Sequence, residues 1–211
     1  MIRPPTLVFV SGTGTDIGKT WWAAALSRAL RGSGIRVEAR KPVQSGEPGA
    51  PSDADVLGDA TGEDPAAVCP PTRTFDLAWA PPMAAAELGA PSFTTADLAG
   101  GISWDEGTAV GLVEGVGGPR SPISADGDNV DLARLLAPDF VLLVADAGLG
   151  TINAVRMSAD AFADFPVVVA LNRYTGELLQ QRNREHLETV DHFDVLTEPV
   201  ALAARLHSRL R

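Results

Sequence analysis

The chain carries a single cysteine, Cys69, among 211 residues, so no intrachain disulfide and no two-cysteine metal knuckle can form. That usage suits a reducing compartment. Candidate general bases are also few: the three histidines, His186, His192 and His207, all fall near the C-terminal end in polar surroundings and read as surface residues. No convincing Ser-His-Asp or Cys-His set can be assembled from them. Basic residues are in deficit, 17 Lys and Arg against 27 Asp and Glu, a formal net charge of −10. Such a surface repels a phosphate backbone and argues against a general nucleic-acid binder. Long apolar runs are missing as well: the run that follows residues 1–5 is too short to cross a bilayer and carries no cleavage-site pattern, so a cytoplasmic protein is expected, with no membrane partner. No linker-like stretch, low-complexity segment or internal repeat divides residues 1–211, and 45% hydrophobic content allows one sizeable core. A single domain follows.

What is present is an alternation of buried strands and helices. Residues 6–10 (Thr-Leu-Val-Phe-Val) are apolar, β-branched and bounded by Pro and Gly, which suits a strand covered on both faces. Residues 18–32 then place Trp22, Ala25, Leu26, Ala29 and Leu30 at helical spacing, with Gly32 and Gly34 as stop signals. Further strands are expected at 35–39, 109–113, 140–145 and 167–171, and helices near 53–60, 129–136, 152–163, 177–187 and 200–210. Residues 46–107 show no clear strand and read as a long excursion bearing short helices. Apolar strands alternating with helices imply an α/β fold, a mostly parallel sheet flanked by helices on both faces. Ligands of such sheets gather at the carboxyl ends of the strands, and four of the five expected strands run into Ser11-Gly12, Lys41-Pro42, Glu114-Gly115 and Asp146-Ala147.

With so negative a chain, an anionic ligand must be captured by a local device. Gly12-Thr13-Gly14-Thr15-Asp16-Ile17-Gly18-Lys19-Thr20 supplies one, set between an expected strand and an expected helix as a phosphate-binding loop requires. Its backbone N–H groups, those of residues 14–18 included, can wrap a phosphate at the positive end of the helix. Lys19 can reach the terminal phosphates and the Thr20 hydroxyl can hold Mg²⁺. Five residues rather than the usual four separate Gly12 from Gly18. The chain therefore falls in the P-loop NTPase class, which does not by itself fix a reaction.

Three more segments narrow it. Lys41 follows the second strand in Lys-Pro-Val-Gln-Ser-Gly, and Pro42 enforces an extended turn that would aim the ammonium across the top of the sheet. A second lysine beside the loop suits a reaction that builds negative charge on both substrate and phosphoryl group. Glu114, in Val-Glu-Gly-Val-Gly-Gly, ends a strand where a carboxylate can complete an Mg²⁺ shell begun by Thr20. Asp53, in Ser52-Asp53-Ala54-Asp55, is either a third oxygen ligand or a helix N-cap, and Asp55 competes with it for the metal role.

These segments together resemble dethiobiotin synthetase. Residues 12–20 resemble that family's P-loop with its extra residue, and 41–46, 113–118 and 148–153 (Gly-Leu-Gly-Thr-Ile-Asn) resemble its other signatures in the same order. The resemblance implies a homodimeric, ATP- and Mg²⁺-dependent ligase of biotin biosynthesis that closes a ureido ring from 7,8-diaminononanoate and CO₂. It implies that Lys19 and Lys41 stabilise charge on the reacting groups and that Thr20, Asp53 and Glu114 hold the metal. Ser45 would contact the diamine and Gly118 would lie close to it. Gly150, Thr151 and Asn153 would bind the substrate's carboxylate tail across the dimer interface. Asn172 would contact adenine, with Leu196, Thr197 and Glu198 bordering the base. A rival reading, a ParA- or MinD-like switch ATPase, shares the sheet and loop. Such proteins carry a further lysine near the loop's start, where this chain has Gly12, Thr13 and Gly14. An amidating ligase with a glutamine-hydrolysing domain would need a catalytic cysteine and more room than Cys69 and 211 residues offer.

Overall fold

A computed structural model describes residues 3–210; Met1 and Ile2, the start of the N-terminal segment read above, and Arg211 lie outside it. In chain order the elements are β1 (Thr6–Gly12), α1 (Lys19–Gly32), β2 (Val37–Arg40), β3 (Gln44–Ser45), α2 (Asp53–Thr61), α3 (Pro65–Val68), β4 (Thr74–Phe75), α4 (Pro81–Glu87), α5 (Thr95–Gly100), β5 (Val110–Glu114), α6 (Asn129–Leu136), β6 (Phe140–Asp146), α7 (Thr151–Ala161), β7 (Val167–Asn172), α8 (Leu178–Thr189), β8 (Asp194–Leu196) and α9 (Pro199–Arg209). Six of the strands form one sheet in the order β2-β5-β1-β6-β7-β8, every pairing parallel.

Alternation along the strands divides the core. On β1, Val8 and Val10 pack with Trp22, Leu26 and Leu30 of α1, with Leu57 of α2 and with Leu202 and Leu206 of α9. Leu7 and Phe9 face the other way, toward Val130 and Leu132 of α6 and Phe162. A further cluster joins Leu143, Val169 and Leu171 to Val155 of α7 and Leu187 of α8. Helices therefore cover both faces, as the near-continuous apolar strands require. Trp22 is wholly buried and its neighbour Trp21 is 57% exposed, so only one of the pair belongs to the core.

Three expectations need correction. The second strand begins at Val37 instead of Ile35, because the Ile35 N–H bonds to the Leu30 carbonyl at 3.1 Å and is spent on closing α1. The excursion at 46–107 does hold a strand: β4 pairs with β3, through Gln44↔Thr74 and Ser45↔Phe75. Two residues give too short a periodic pattern to be read. A sixth strand, β8, lies at the sheet edge beside β7, again too brief and too polar at Asp194 to stand out.

β1 lies inside the sheet with β5 and β6 on its two sides, so the loop that leaves it opens into the crevice where the strand order turns. Backbone bonds stitch the neighbouring strand ends: Thr13 N–H to the Val144 carbonyl at 2.9 Å and Gly115 N–H to the Val10 carbonyl at 3.0 Å. At the opposite edge, β2 is blunted against further pairing. Glu63 accepts the Ala39 N–H at 2.9 Å, and Arg40 lies over the Trp104 ring while bonding Glu38, Glu63 and the Ser103 carbonyl. The residue this anchored strand delivers is Lys41.

Candidate active site

At the carboxyl end of the sheet a cleft of about 820 Å³ is lined by the P-loop, Lys41, Asp53, Glu114, Ser45 and Trp79. The P-loop turns through left-handed conformations at Asp16 (φ 55°) and Gly18 (φ 96°). Glycine is required at 18, where a Cβ would stand 2.1 Å from the Asn172 amide nitrogen. Lys19, at the first turn of α1, reaches back so that Nζ donates to the Gly14 carbonyl at 2.9 Å, closing the loop upon itself. Burial lowers its pKa and the nearby charge of Lys41 lowers it further.

Thr20, Lys41, Asp53 and Glu114 come from four different elements and meet at one point. The Thr20 hydroxyl is 2.8 Å from Asp53 Oδ1 and 2.9 Å from Glu114 Oε1. Lys41 Nζ lies 2.7 Å from Asp53 Oδ2 and 2.7 Å from Glu114 Oε1, and it donates to the Gly115 carbonyl at 2.9 Å. Burial opposes charge on Lys41, but Glu114 and Asp53 outweigh it and hold the ammonium above the ordinary lysine value. Burial likewise pushes Asp53 upward, and there the charge and hydrogen bond of Lys41 win, leaving that carboxyl below its ordinary value. Glu114, 1% exposed, is raised by burial and by the Asp53 charge, against the pull of Lys41. Of the two acids at the start of α2, only Asp53 lines the cleft. Ser52 is the N-cap of α2, and Asp55 accepts the Ser52 N–H and hydroxyl at 2.8 Å each in a capping box, so Asp55 is engaged at the helix end and Asp53 faces the cleft.

The donor set fits a hard divalent cation. Two carboxylates and a hydroxyl converge, and Glu114 Oε2 is buried with no hydrogen-bond partner, an orphaned oxygen of the kind such an ion takes up. No cluster of three His, Cys, Asp or Glu residues with metal-binding geometry occurs among the described residues. Mg²⁺ needs only one or two carboxylates beside phosphates and waters. His192 is exposed, while His186 and His207 are half-buried on the outer helices α8 and α9, so two of the three are less open than expected. His186 Nε2 sits 2.9 Å from an Arg156 nitrogen.

The other expected residues divide. Ser45 lines the cleft and its hydroxyl donates to the Trp79 carbonyl at 2.6 Å. Gly118 backs onto the P-loop, where a Cβ would be 3.5 Å from the Thr13 carbonyl oxygen. Asn172 ends β7 against the loop and its amide donates to the Ile17 carbonyl at 2.9 Å. Leu196 ends β8 in the hydrophobic core, paired with Ala170 of β7, and Thr197 and Glu198 follow it at the same sheet end, Glu198 as the N-cap of α9. Gly150, the N-cap of α7, and Thr151 and Asn153 of that helix are not part of the cleft of their own chain; Thr151 is buried with its hydroxyl unpartnered, and Asn153 is exposed. Sequence reasoning missed Asn129, which holds the loop after β5: it accepts the Val116 N–H at 2.9 Å and donates to the Val116 and Gly118 carbonyls at 2.7 Å each. Following the N-cap Asp128, it reads only as a helix start. Trp79 was missed because its strand-poor surroundings carry no periodic signal.

A family model described as an AAA domain matches residues 6–199. The chain is 39% identical over 175 residues to the ATP-dependent dethiobiotin synthetase BioD of Anaeromyxobacter sp. (strain K), covering 79% of this chain and 76% of that relative. It is 34% identical over 216 aligned positions to the protein of the same description from Rhodococcus jostii (strain RHA1), covering 96% and 90%. For Haloferax mediterranei the identity is 35% over 194 residues, covering 90% and 82%. Among solved structures, a plasmid partition protein of Borrelia burgdorferi B31 bound to AMPPNP superposes with a TM-score of 0.56 at 10% identity, covering 99% of this chain and 98% of that one; this likeness shows the P-loop fold alone. With several relatives above a third identical over most of its length, the chain belongs to the ATP-dependent dethiobiotin synthetase family, whose members are ligase-type enzymes of biotin biosynthesis.

Proposed function

We propose that the chain catalyses ureido ring closure on 7,8-diaminononanoate, with CO₂ and ATP as co-substrates and dethiobiotin, ADP and phosphate as products. The observation that carries the reading is the convergence of Lys19, Lys41, Thr20, Asp53 and Glu114 at one end of a cleft whose other wall bears Ser45. No nucleophilic side chain is required. One substrate amine attacks CO₂, loses a proton and becomes a carbamate. A carbamate oxygen then attacks the γ-phosphorus, the bond to the β-phosphate oxygen breaks, and ADP leaves. The neighbouring amine attacks the carbonyl carbon of the mixed anhydride, loses its proton and expels phosphate as the ring closes. Negative charge builds first on the carbamate and then on the transferred phosphoryl group, so fixed cations in a desolvated site lower the barrier more than acid–base groups would.

Lys41 supplies such a cation, buried and held protonated by its two carboxylate partners. Lys19 supplies another from the loop side. Thr20, Asp53 and Glu114 would hold Mg²⁺, which when bound neutralises triphosphate oxygens. Ser45 orients the diamine. Gly150, Thr151 and Asn153 are not among the residues that line the chain's own cleft; on this reading a second copy of the chain brings them to the carboxylate tail, in a homodimer acting in the cytoplasm. Among the described residues no helix is long and apolar enough to cross a membrane. The switch-ATPase alternative keeps only a likeness of fold at 10% identity and leaves Lys41 without a task.

The step order can be followed with ¹⁸O-labelled bicarbonate. Carbamate attack on phosphorus carries one CO₂ oxygen into the released phosphate and leaves the other in the ureido group. Unlabelled phosphate from a reaction that still yields dethiobiotin would remove the mixed anhydride.

A further inference from the structure

We infer that Arg173 is a positioning residue of the phosphate loop, one of a pair that pins successive loop carbonyls outward so that the following N–H groups face the phosphates. The inference takes from the preceding reading only that ATP phosphates occupy this loop, and nothing from the diamine chemistry. Asn172 and Arg173 follow one another at the end of β7. Asn172 donates to the Ile17 carbonyl at 2.9 Å, and Arg173 Nη2 donates to the Asp16 carbonyl at 2.8 Å. The described residues contain no cis peptide bond, and in a trans peptide the C=O and the next N–H point in opposite directions. With the Asp16 and Ile17 oxygens drawn toward β7, the N–H groups of Ile17 and Gly18 are turned to the other side of the loop, where a phosphate-binding nest forms. Asp16 holds a left-handed conformation, φ 55°, which an L-residue adopts only against steric strain. Its carbonyl is the one that Arg173 grips.

A half-exposed arginine is a poor clamp unless its far side is fixed, and here it is. Arg173 Nη1 bonds Asp146 Oδ2 at 3.0 Å, and Asp146 Oδ1 accepts the Gly148 N–H at 2.8 Å. Asn183, from α8, donates to the Ala147 and Gly148 carbonyls at 3.0 and 2.8 Å, so the anchoring turn is itself tied down. Arg173 also adopts φ 56°, the bend that takes the chain out of β7. As an ion pair the Arg173–Asp146 contact is exposed and adds little to stability. Its effect is on the shape in which the loop waits for ligand, and a loop populated less in its binding shape binds correspondingly less tightly.

The test compares the parent with Arg173→Gln and Asp146→Asn, measuring calorimetric affinity for Mg-ATP and for Mg-tripolyphosphate, which has phosphates but no base or ribose. Arg173→Gln is expected to weaken both ligands about fivefold with a melting temperature within about 2 °C of the parent. Asp146→Asn keeps an oxygen acceptor for Gly148 and replaces the charged acceptor facing Arg173 with an amide group; it is expected to weaken both about threefold. Arg173→Lys, which keeps the charge but lacks the fork that spans the Asp16 carbonyl and Asp146, recovers part of the loss. Affinities within twofold of the parent for both ligands overturn the inference, whether read from Arg173→Gln or, should that variant not fold, from Asp146→Asn. A loss confined to ATP overturns it too, because it would make Arg173 a contact to the nucleoside.

Discussion

Two lysines at the top of one sheet do different work because their surroundings differ. Lys41 is enclosed by Asp53, Glu114 and the Gly115 carbonyl, whereas Lys19 leans on a loop carbonyl and has its pKa lowered by burial and by Lys41. For Lys41→Ala we expect turnover to fall at least about a hundredfold, with ATP affinity changed by less than about threefold, since the lost charge acts on the reacting groups. The melting temperature should fall as well, because Glu114 is left as a buried acid, and Asp53 as a half-buried one, without a counter-charge. Unchanged turnover would take Lys41 out of the mechanism. On the proposed reading Lys19 would bind phosphate as an ammonium. Its lowered value in the free protein means that it sheds its proton at a lower pH than an ordinary lysine, so ATP affinity is full below that value and lost as pH rises through it. The kcat/KM profile for ATP should show an alkaline limb beginning below pH 10.5, the ordinary lysine value, and Lys19→Arg should flatten it. Lys19 was legible in the sequence from the loop motif and Lys41 from its place after a strand, but the ammonium–carboxylate cluster was not, since Lys41 and Glu114 lie 73 positions apart.

At the scale of elements, the α2 N-terminus separates two acids that no local pattern could rank. Ser-Asp-Ala-Asp is at once a capping box and a pair of candidate ligands, and only the approach of α1 and β5 decides which carboxylate turns inward. Asp55→Ala should lower stability by about 1 kcal/mol, a shift of roughly 2–4 °C, while leaving turnover near the parent value. Asp53→Ala should do the reverse, with loss of turnover and a raised Mg²⁺ requirement in kinetics. Equal effects of the two substitutions would contradict the assignment. The five longer strands and the long helices were legible because an apolar run of four or more residues already reads as a buried strand and a longer stretch shows the helical period. The strands β3, β4 and β8 were not, being two or three residues long and defined by their partners. Hydrogen bonds shifted the boundary of β2 in a way that propensity does not encode.

For the whole molecule, a mostly parallel sheet was implied by alternating strands and helices, but no sequence pattern shows the order of its strands. That is why Asn129 and Arg173, both acting across loops, went unread. The separation of Gly150, Thr151 and Asn153 from the cleft makes complementation a direct check on a shared site. Lys41→Ala and Asn153→Ala are each expected to be impaired alone. Mixed and allowed to exchange subunits, they should recover up to about a quarter of parental activity, since half the dimers would be hybrid and one of their two sites whole. No recovery between subunits shown to exchange would confine each site to one chain. The central claim, that ATP cleavage is spent on ring closure, is tested most directly by ADP release from purified protein with Mg²⁺, with and without 7,8-diaminononanoate and bicarbonate. The account predicts release that depends on both additions and is matched mole for mole by dethiobiotin in the mass spectrum; slow release indifferent to the diamine, with no such product, would contradict it.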